Sequence, residues 1–262
     1  MKVGDIVAVL EAFAPLRIQE NWDNSGLLIG SPEDEVHGVL LGFDCTPALI
    51  DEAVAKGCDL VVTHHPLIFK GIRHINAQDP VGAAVMKAVR AGVAVYAAHT
   101  TADKVPQGVS GAMARRLGLQ DIEFLLPDPD GSTGLGCIGY LPIPMTGKEA
   151  LEYVQKQFGL KLIRSSRPLE TPIEKVALLG GSGGSEAETA RARGAQLYIT
   201  ADVSYHQFFT PEGFMIMDIG HFESEVEIVD IFLTEIRKKF PNFASYKSAA
   251  MDGSNPVHYF VM

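Results

Sequence analysis

Three short apolar runs, Val39-Leu40-Leu41, Leu60-Val61-Val62 and Val93-Ala94-Val95-Tyr96, recur with a helical segment in each interval. This alternation constrains the fold more than any other feature of the chain. Runs of three or four apolar residues are too short for helices and suit strands covered on both faces. The intervals carry helix signals. Thr46-Pro47 offers an N-cap followed by proline at the first helical position, Ala48 to Lys56 makes a short helix, and Gly57 stops it. Pro80 to Ala91 sets Val81, Ala84, Val85 and Val89 on one face, and the chain opens with Val3, Ile6, Val7, Leu10 and Phe13 at helical spacing. Strand, helix and strand at this spacing imply crossover connections and a largely parallel sheet.

The plan recurs further along. Lys175 to Leu179 reads as a strand, Gly180 to Gly184 as a turn, Ser185-x-x-Glu188 as a capping box opening a helix that ends at Gly194, and Leu197-Tyr198-Ile199 as the next strand. An offset of 137 residues superposes Val39 on Val176 and Leu60-Val61-Val62-Thr63 on Leu197-Tyr198-Ile199-Thr200, while Phe214 to Met217 echoes Val93 to Tyr96. A true repeat and two independent crossover units give the same architecture. Between them, Leu135 to Leu141 reads as a strand, and Thr146-x-x-Glu149 is a capping box opening a helix marked by Leu151, Val154 and Phe158. Glu223 to Lys239 reads as a last helix carrying Val226, Val229, Phe232 and Ile236. The turn chemistry of Asp128-Pro129-Asp130-Gly131 sets a boundary, so the expected division is 1–127 and 128–262, with a C-terminal tail able to return to the first half. The expected fold class is α/β: two similar halves, each with a mostly parallel sheet flanked by helices, and a metal site in the cleft between them.

The metal enters through histidines and carboxylates at strand ends. His64 and His65 close the second run, His99 and Asp103 follow the third, and His221 and Glu225 follow Phe214 to Met217. The last two are four apart at a helix start, so their side chains project from one face about 6 Å apart. In parallel α/β sheets the carboxyl ends of strands line the crevice where ligands bind. Neutral imidazoles with carboxylates, and no thiolates, suit zinc, iron, manganese, nickel or cobalt. More ligands are on offer than one tetrahedral site with an open position needs, which favours two divalent ions. His37, His74, His206 and His258 lack such company and read as structural. Gly180 to Gly184 opens a helix after a strand, where backbone amides can cradle an anion, but no Lys-Ser/Thr follows as a P-loop requires. Trp22, with Asp23, Asn24 and Ser25, forms a short loop that either borders a site or serves only as a turn.

Charge excludes other classes. With 22 Lys+Arg against 32 Asp+Glu the formal net charge is -10, which disfavours a protein that grips nucleic acid by neutralising phosphates. No apolar stretch is long enough for a membrane helix, and Asp5 and Glu11 interrupt the N-terminal segment where a signal peptide needs continuity, so a cytoplasmic location is expected. Cys45, Cys58 and Cys137 are scattered and read as plain thiols.

The combination of Asn21-Trp22-Asp23-Asn24-Ser25-Gly26-Leu27, Val62-Thr63-His64-His65-Pro66-Leu67, His99-Thr100 with Asp103, Leu117-Gly118-Leu119, Gly180-Gly181-Ser182-Gly183, Thr200-Ala201-Asp202 and Gly220-His221 with Glu225 resembles the Nif-three-like family of dinuclear-metal proteins, many of them named GTP cyclohydrolase 1 type 2. The resemblance implies five metal ligands, His64, His65, Asp103, His221 and Glu225. It also implies a toroidal homohexamer with internal metal sites, in the short form that lacks an inserted domain. Thr101-Ala102, where the family usually has Asn-Leu, and Ala201, where it has Gly, are departures that spare the ligands. The implied function is a hydrolase or cyclohydrolase acting on a nucleotide such as GTP through a metal-activated water, with His99 supporting the ligands or acting as a base. The alternative is a non-catalytic metal-binding hexamer that carries metal or docks to other proteins.

Overall fold

The structure, a computed structural model, describes residues 1–260. In chain order the elements are α1 (Val3–Phe13), β1 (Gly26–Ile29), β2 (Gly38–Gly42), α2 (Pro47–Ala55), β3 (Leu60–Thr63), α3 (Pro80–Ala91), β4 (Ala94–Ala97) and α4 (Thr100–Asp103). There follow α5 (Val109–Arg116), β5 (Gln120–Pro127), β6 (Gly134–Met145), α6 (Gly147–Phe158), β7 (Arg164–Ser165), β8 (Ile173–Ser182) and α7 (Ala187–Ala192). The last are β9 (Leu197–Ala201), β10 (Met215–Asp218), α8 (His221–Glu225), α9 (Ile228–Lys239) and β11 (Ala244–Lys247). They form two compact units, one from Met1–Ala102 with Ile228–Pro256, the other from Asp103–Glu227 with residues 257–260.

In the first unit the sheet order is β1-β4-β3-β2-β11, and all pairings are parallel except β1 with β4. Leu40, Val61 and Val95 turn one sheet face onto Leu49, Ile50 and Ala53 of α2 and Ala84, Val85 and Ala88 of α3. Strand side chains alternate between faces, so Val39, Leu41, Leu60 and Val62, equally buried, belong to the other face, where α9 packs against β2 and α1. Burial on both faces is why these strands read as unbroken apolar runs. Thr46 caps α2 as expected, its hydroxyl accepting from the Leu49 amide.

The second unit has the order β5-β6-β8-β9-β10-β7. Only β8, β9 and β10 run parallel; β5, β6 and β7 pair antiparallel, so this sheet is mixed where a mostly parallel one was expected. The reason lies in the connections: β5 and β6 are joined by the tight Asp128–Ser132 turn, which can only reverse the chain. The parallel part carries the repeat into register. Val39 pairs with Leu60 in the first unit, and their counterparts at the 137-residue offset, Val176 and Leu197, pair in the second.

Two helix expectations need correction. The Ser185/Glu188 capping box does not form: a short 3-10 turn at Gly184–Glu186 precedes α7, Ser185 bonds to Glu186, and Glu188 is taken by the Arg191 guanidinium. The single helix read from Glu223 to Lys239 is two, α8 and α9, divided where the chain passes from one unit to the other. The Thr146/Glu149 box forms as read. Among the described residues no helix is long and apolar enough to cross a membrane.

Candidate metal centre

In the first unit, the loops leaving β2, β3 and β4 carry the chemistry. His64 and His65 follow β3 directly, His99 lies two residues beyond β4, and each of the three offers a ring nitrogen within 4.8 Å of the others. Their ring centroids are 5.0 to 5.5 Å apart. Phe43, just after β2, stacks on His64 at 5.7 Å and leans on His65 at 4.5 Å. His64 is wholly buried.

Each ring is oriented by an oxygen. His64 Nδ1 lies 2.9 Å from the Ala98 carbonyl, His65 Nδ1 lies 2.7 Å from Asp44 Oδ1, and His99 Nδ1 lies 2.7 Å from Asp23 Oδ1. A carbonyl and an ionised carboxylate can only accept, so the ring proton sits on Nδ1 and the lone pair on Nε2. This is the arrangement by which proteins prepare imidazole for a metal. Asp23 is the most constrained of these acceptors. Burial would raise its pKa, but hydrogen bonds from His99, from Thr100 and from Ser25 outweigh it and hold the carboxyl well below the usual carboxylate range. The loop Asn21 to Gly26, ambiguous by sequence, is therefore the support of His99.

The second unit repeats the device. His221 Nδ1 lies 2.8 Å from Asp202 Oδ2, and its Nε2 is 3.0 Å from Glu225 Oε2 one helical turn away. Asp103, at the end of α4, brings a carboxylate oxygen within 4.8 Å of one from Glu225. Glu225 is 4% exposed, a depth at which a carboxylate needs a partner of opposite charge or a metal. Asp218 at the end of β10 ties the surroundings together: it accepts from the Val203 and Gly220 amides and from Arg164.

The glycine run resolves against anion binding. Gly180 to Ser182 belong to β8. A side chain on Gly181, whose φ is +65°, would place Cβ 2.3 Å from Glu225 Oε1. On Gly183 it would meet the Thr200 hydroxyl at 2.4 Å. The glycines make room for the Glu225 carboxylate and the Thr200 side chain.

Asp23, Asp44 and Asp202 were not singled out as acceptors from the sequence. The signal available was positional: Asp44 and Asp202 stand just past strand ends, like the histidines they orient. The remaining histidines, His37, His74, His206 and His258, join none of the groups able to hold a metal among the described residues. The cysteines are inert thiols. Burial, aided by Asp44's charge, pushes Cys45 up to about 12, and burial pushes Cys137 up to about 11.

Two α/β units, one with three histidines and the other with one oriented through Nδ1 beyond strand ends, define an α/β protein with groups of histidine and carboxylate that could hold a metal. The comparisons agree. The family Duf34/NIF3 (NGG1p interacting factor 3) matches residues 1–256, and the chain belongs to it. A GTP cyclohydrolase 1 type 2 homolog of Clostridium acetobutylicum is 33% identical over 229 residues, covering 86% of this chain and 85% of its own. A protein NIF3 homolog of Schizosaccharomyces pombe is 31% identical over 231 residues, covering 83% and 82%. A crystal structure of a Staphylococcus aureus hypothetical protein superposes with a TM-score of 0.90 at 26% identity over 99% of both chains.

Proposed function

We propose that the chain is a dinuclear-metal hydrolase in which His64, His65, Asp103, His221 and Glu225 hold two divalent ions, and that it opens the imidazole ring of a purine nucleotide such as GTP. The observation that supports this most is the shared orientation of the imidazoles, each with Nδ1 against an oxygen acceptor and Nε2 left on the opposite side of the ring. Evolving a hydrogen-bonded core histidine requires no such uniformity. The donor set of imidazole nitrogens and carboxylates fits a borderline or hard divalent ion. Such ions, when bound, acidify water and polarise the bond under attack.

The chain's own residues supply positioning and proton transfer. Asp44 and Asp202 fix the planes of His65 and His221 and strengthen them as donors. His99, held by Asp23 through Nδ1, presents Nε2 beside His64 and His65, where it can take a proton from the attacking water and return it to the leaving nitrogen. A homohexamer belongs to the same reading; native mass of six times 28.3 kDa checks it.

The test is metal analysis of tag-free protein followed by turnover of GTP, other nucleotides and phosphoesters. About two ions per chain and product formation that is lost in the His65→Ala, Glu225→Ala double variant support the proposal. Bound metal with no product above that of the double variant overturns the hydrolase and leaves a metal-binding assembly.

A further inference from the structure

Trp22 is the chain's only tryptophan and is 59% exposed; Phe69 is 43% exposed. The two do not lie scattered over the surface. With His99 they form a triangle of rings, Trp22 to Phe69 at 6.0 Å, Trp22 to His99 at 6.0 Å and Phe69 to His99 at 5.9 Å, every pair edge to face. Edge-to-face packing leaves ring faces available for a further planar group.

The loops that carry these rings are fixed in advance. Asn24 Nδ2 donates to the Ile68 carbonyl at 2.5 Å, joining the Trp22 loop to the Phe69 loop. Asp23, adjacent to Trp22, is buried and held by His99, Thr100 and Ser25. A ligand docking here meets rings whose ordering cost is already met, the condition under which stacking yields affinity. Among the described residues neither ring is part of the core cluster that the sheet forms with α2 and α3.

We infer that Trp22 and Phe69 form an aromatic wall that receives the planar heteroaromatic ring of the substrate and sets it beside His64, His65 and His99. The inference rests on the hydrolase reading above and narrows its substrate class: the ring, more than the sugar or the phosphates, decides which molecules are held. Stacking accepts any nucleobase face, so the wall selects heteroaromatic from non-aromatic ligands and discriminates weakly between guanine and adenine.

Because Trp22 is the sole tryptophan, its emission reports on the wall alone. The full chain, stripped of metal by chelator, is titrated with guanosine and GMP, and with ribose 5-phosphate and tripolyphosphate as ring-free probes. Guanosine and GMP are expected to change Trp22 emission saturably, and the ring-free probes to leave it unchanged. Phe69→Ala should weaken guanosine binding by roughly 5-fold or more, from the stacking energies of aromatic side chains on bases, with melting temperature and metal content retained. Phe69→Tyr should restore it. No saturable response to the ring compounds, an equal response to ribose 5-phosphate or tripolyphosphate, or unaltered affinity in Phe69→Ala overturns the wall. Failure of the two proposals is distinguishable: ring binding without turnover removes the hydrolase and leaves the wall, whereas turnover with ring-independent binding removes the wall and leaves the hydrolase.

Discussion

At the scale of single residues, the oxygen acceptors behind the imidazoles carry as much of the candidate centre as the imidazoles do. Asn in place of Asp44 or Asp202 keeps size and shape but offers an amide that no longer fixes the Nδ1 proton. We expect Asp44→Asn and Asp202→Asn to lower metal affinity by roughly 10- to 100-fold with little change in fold, measured by titration calorimetry of chelator-stripped protein. The histidines were legible in the sequence because each stands just after an apolar strand. Their acceptors were not, because the pairings reach across 76 residues for Asp23 with His99, 21 for Asp44 with His65 and 19 for Asp202 with His221. Spacing along one element reveals Glu225 beside His221; nothing local reveals a partner brought by a different strand.

Elements show the same division. The strands buried on both faces, β2, β3, β4, β8, β9 and β10, announce themselves as apolar runs, whereas the edge strand β11, Ala-Ser-Tyr-Lys, does not; β1, though apolar at Leu27, Leu28 and Ile29, is only half-buried there. The edge strand β5 is exposed along its first four residues and lacks any alternation a reader could use. Helix α5 went unread as well, for its apolar positions are mostly Ala and Gly. The end of β8 is where element geometry meets the site, so Gly181→Ala should cost at least about 1–2 kcal/mol for its left-handed backbone alone and displace the Glu225 carboxylate, read as a lower melting temperature together with weaker metal binding. A second element-level prediction concerns how the C-terminal segment is fastened to α2. Burial would raise the Glu52 pKa, but the Ser248 hydroxyl, the Ala249 amide and Lys56 outweigh it and hold it below the ordinary glutamate value. A carboxyl whose pKa falls on folding stabilises the native state above its unfolded pKa, and that contribution is lost as pH drops. Denaturant midpoints of the native protein should therefore fall more steeply than those of Glu52→Gln between about pH 5 and pH 3.

For the whole molecule, a ligand that binds only the folded chain adds stability by mass action. A divalent ion at 100 times its dissociation constant should add about 2.7 kcal/mol, seen as a rise in melting temperature that the His65→Ala, Glu225→Ala variant lacks. The net charge of -10 favours cation uptake in general, so the double variant, nearly unchanged in charge, is the control that separates specific ligation from bulk attraction. The first unit is assembled from both ends of the chain: α9 lies against α1, with Phe232 and Phe13 edge to face at 6.3 Å, and β11 completes the sheet beside β2. During synthesis, β4 is made about 150 residues before β11, a lag of roughly ten to thirty seconds at ordinary translation rates. The nascent N-terminal sheet must wait through that interval with the edge of β2 uncovered, while the six strands of the intervening unit are already available to pair. The last strand made thus closes the first sheet begun.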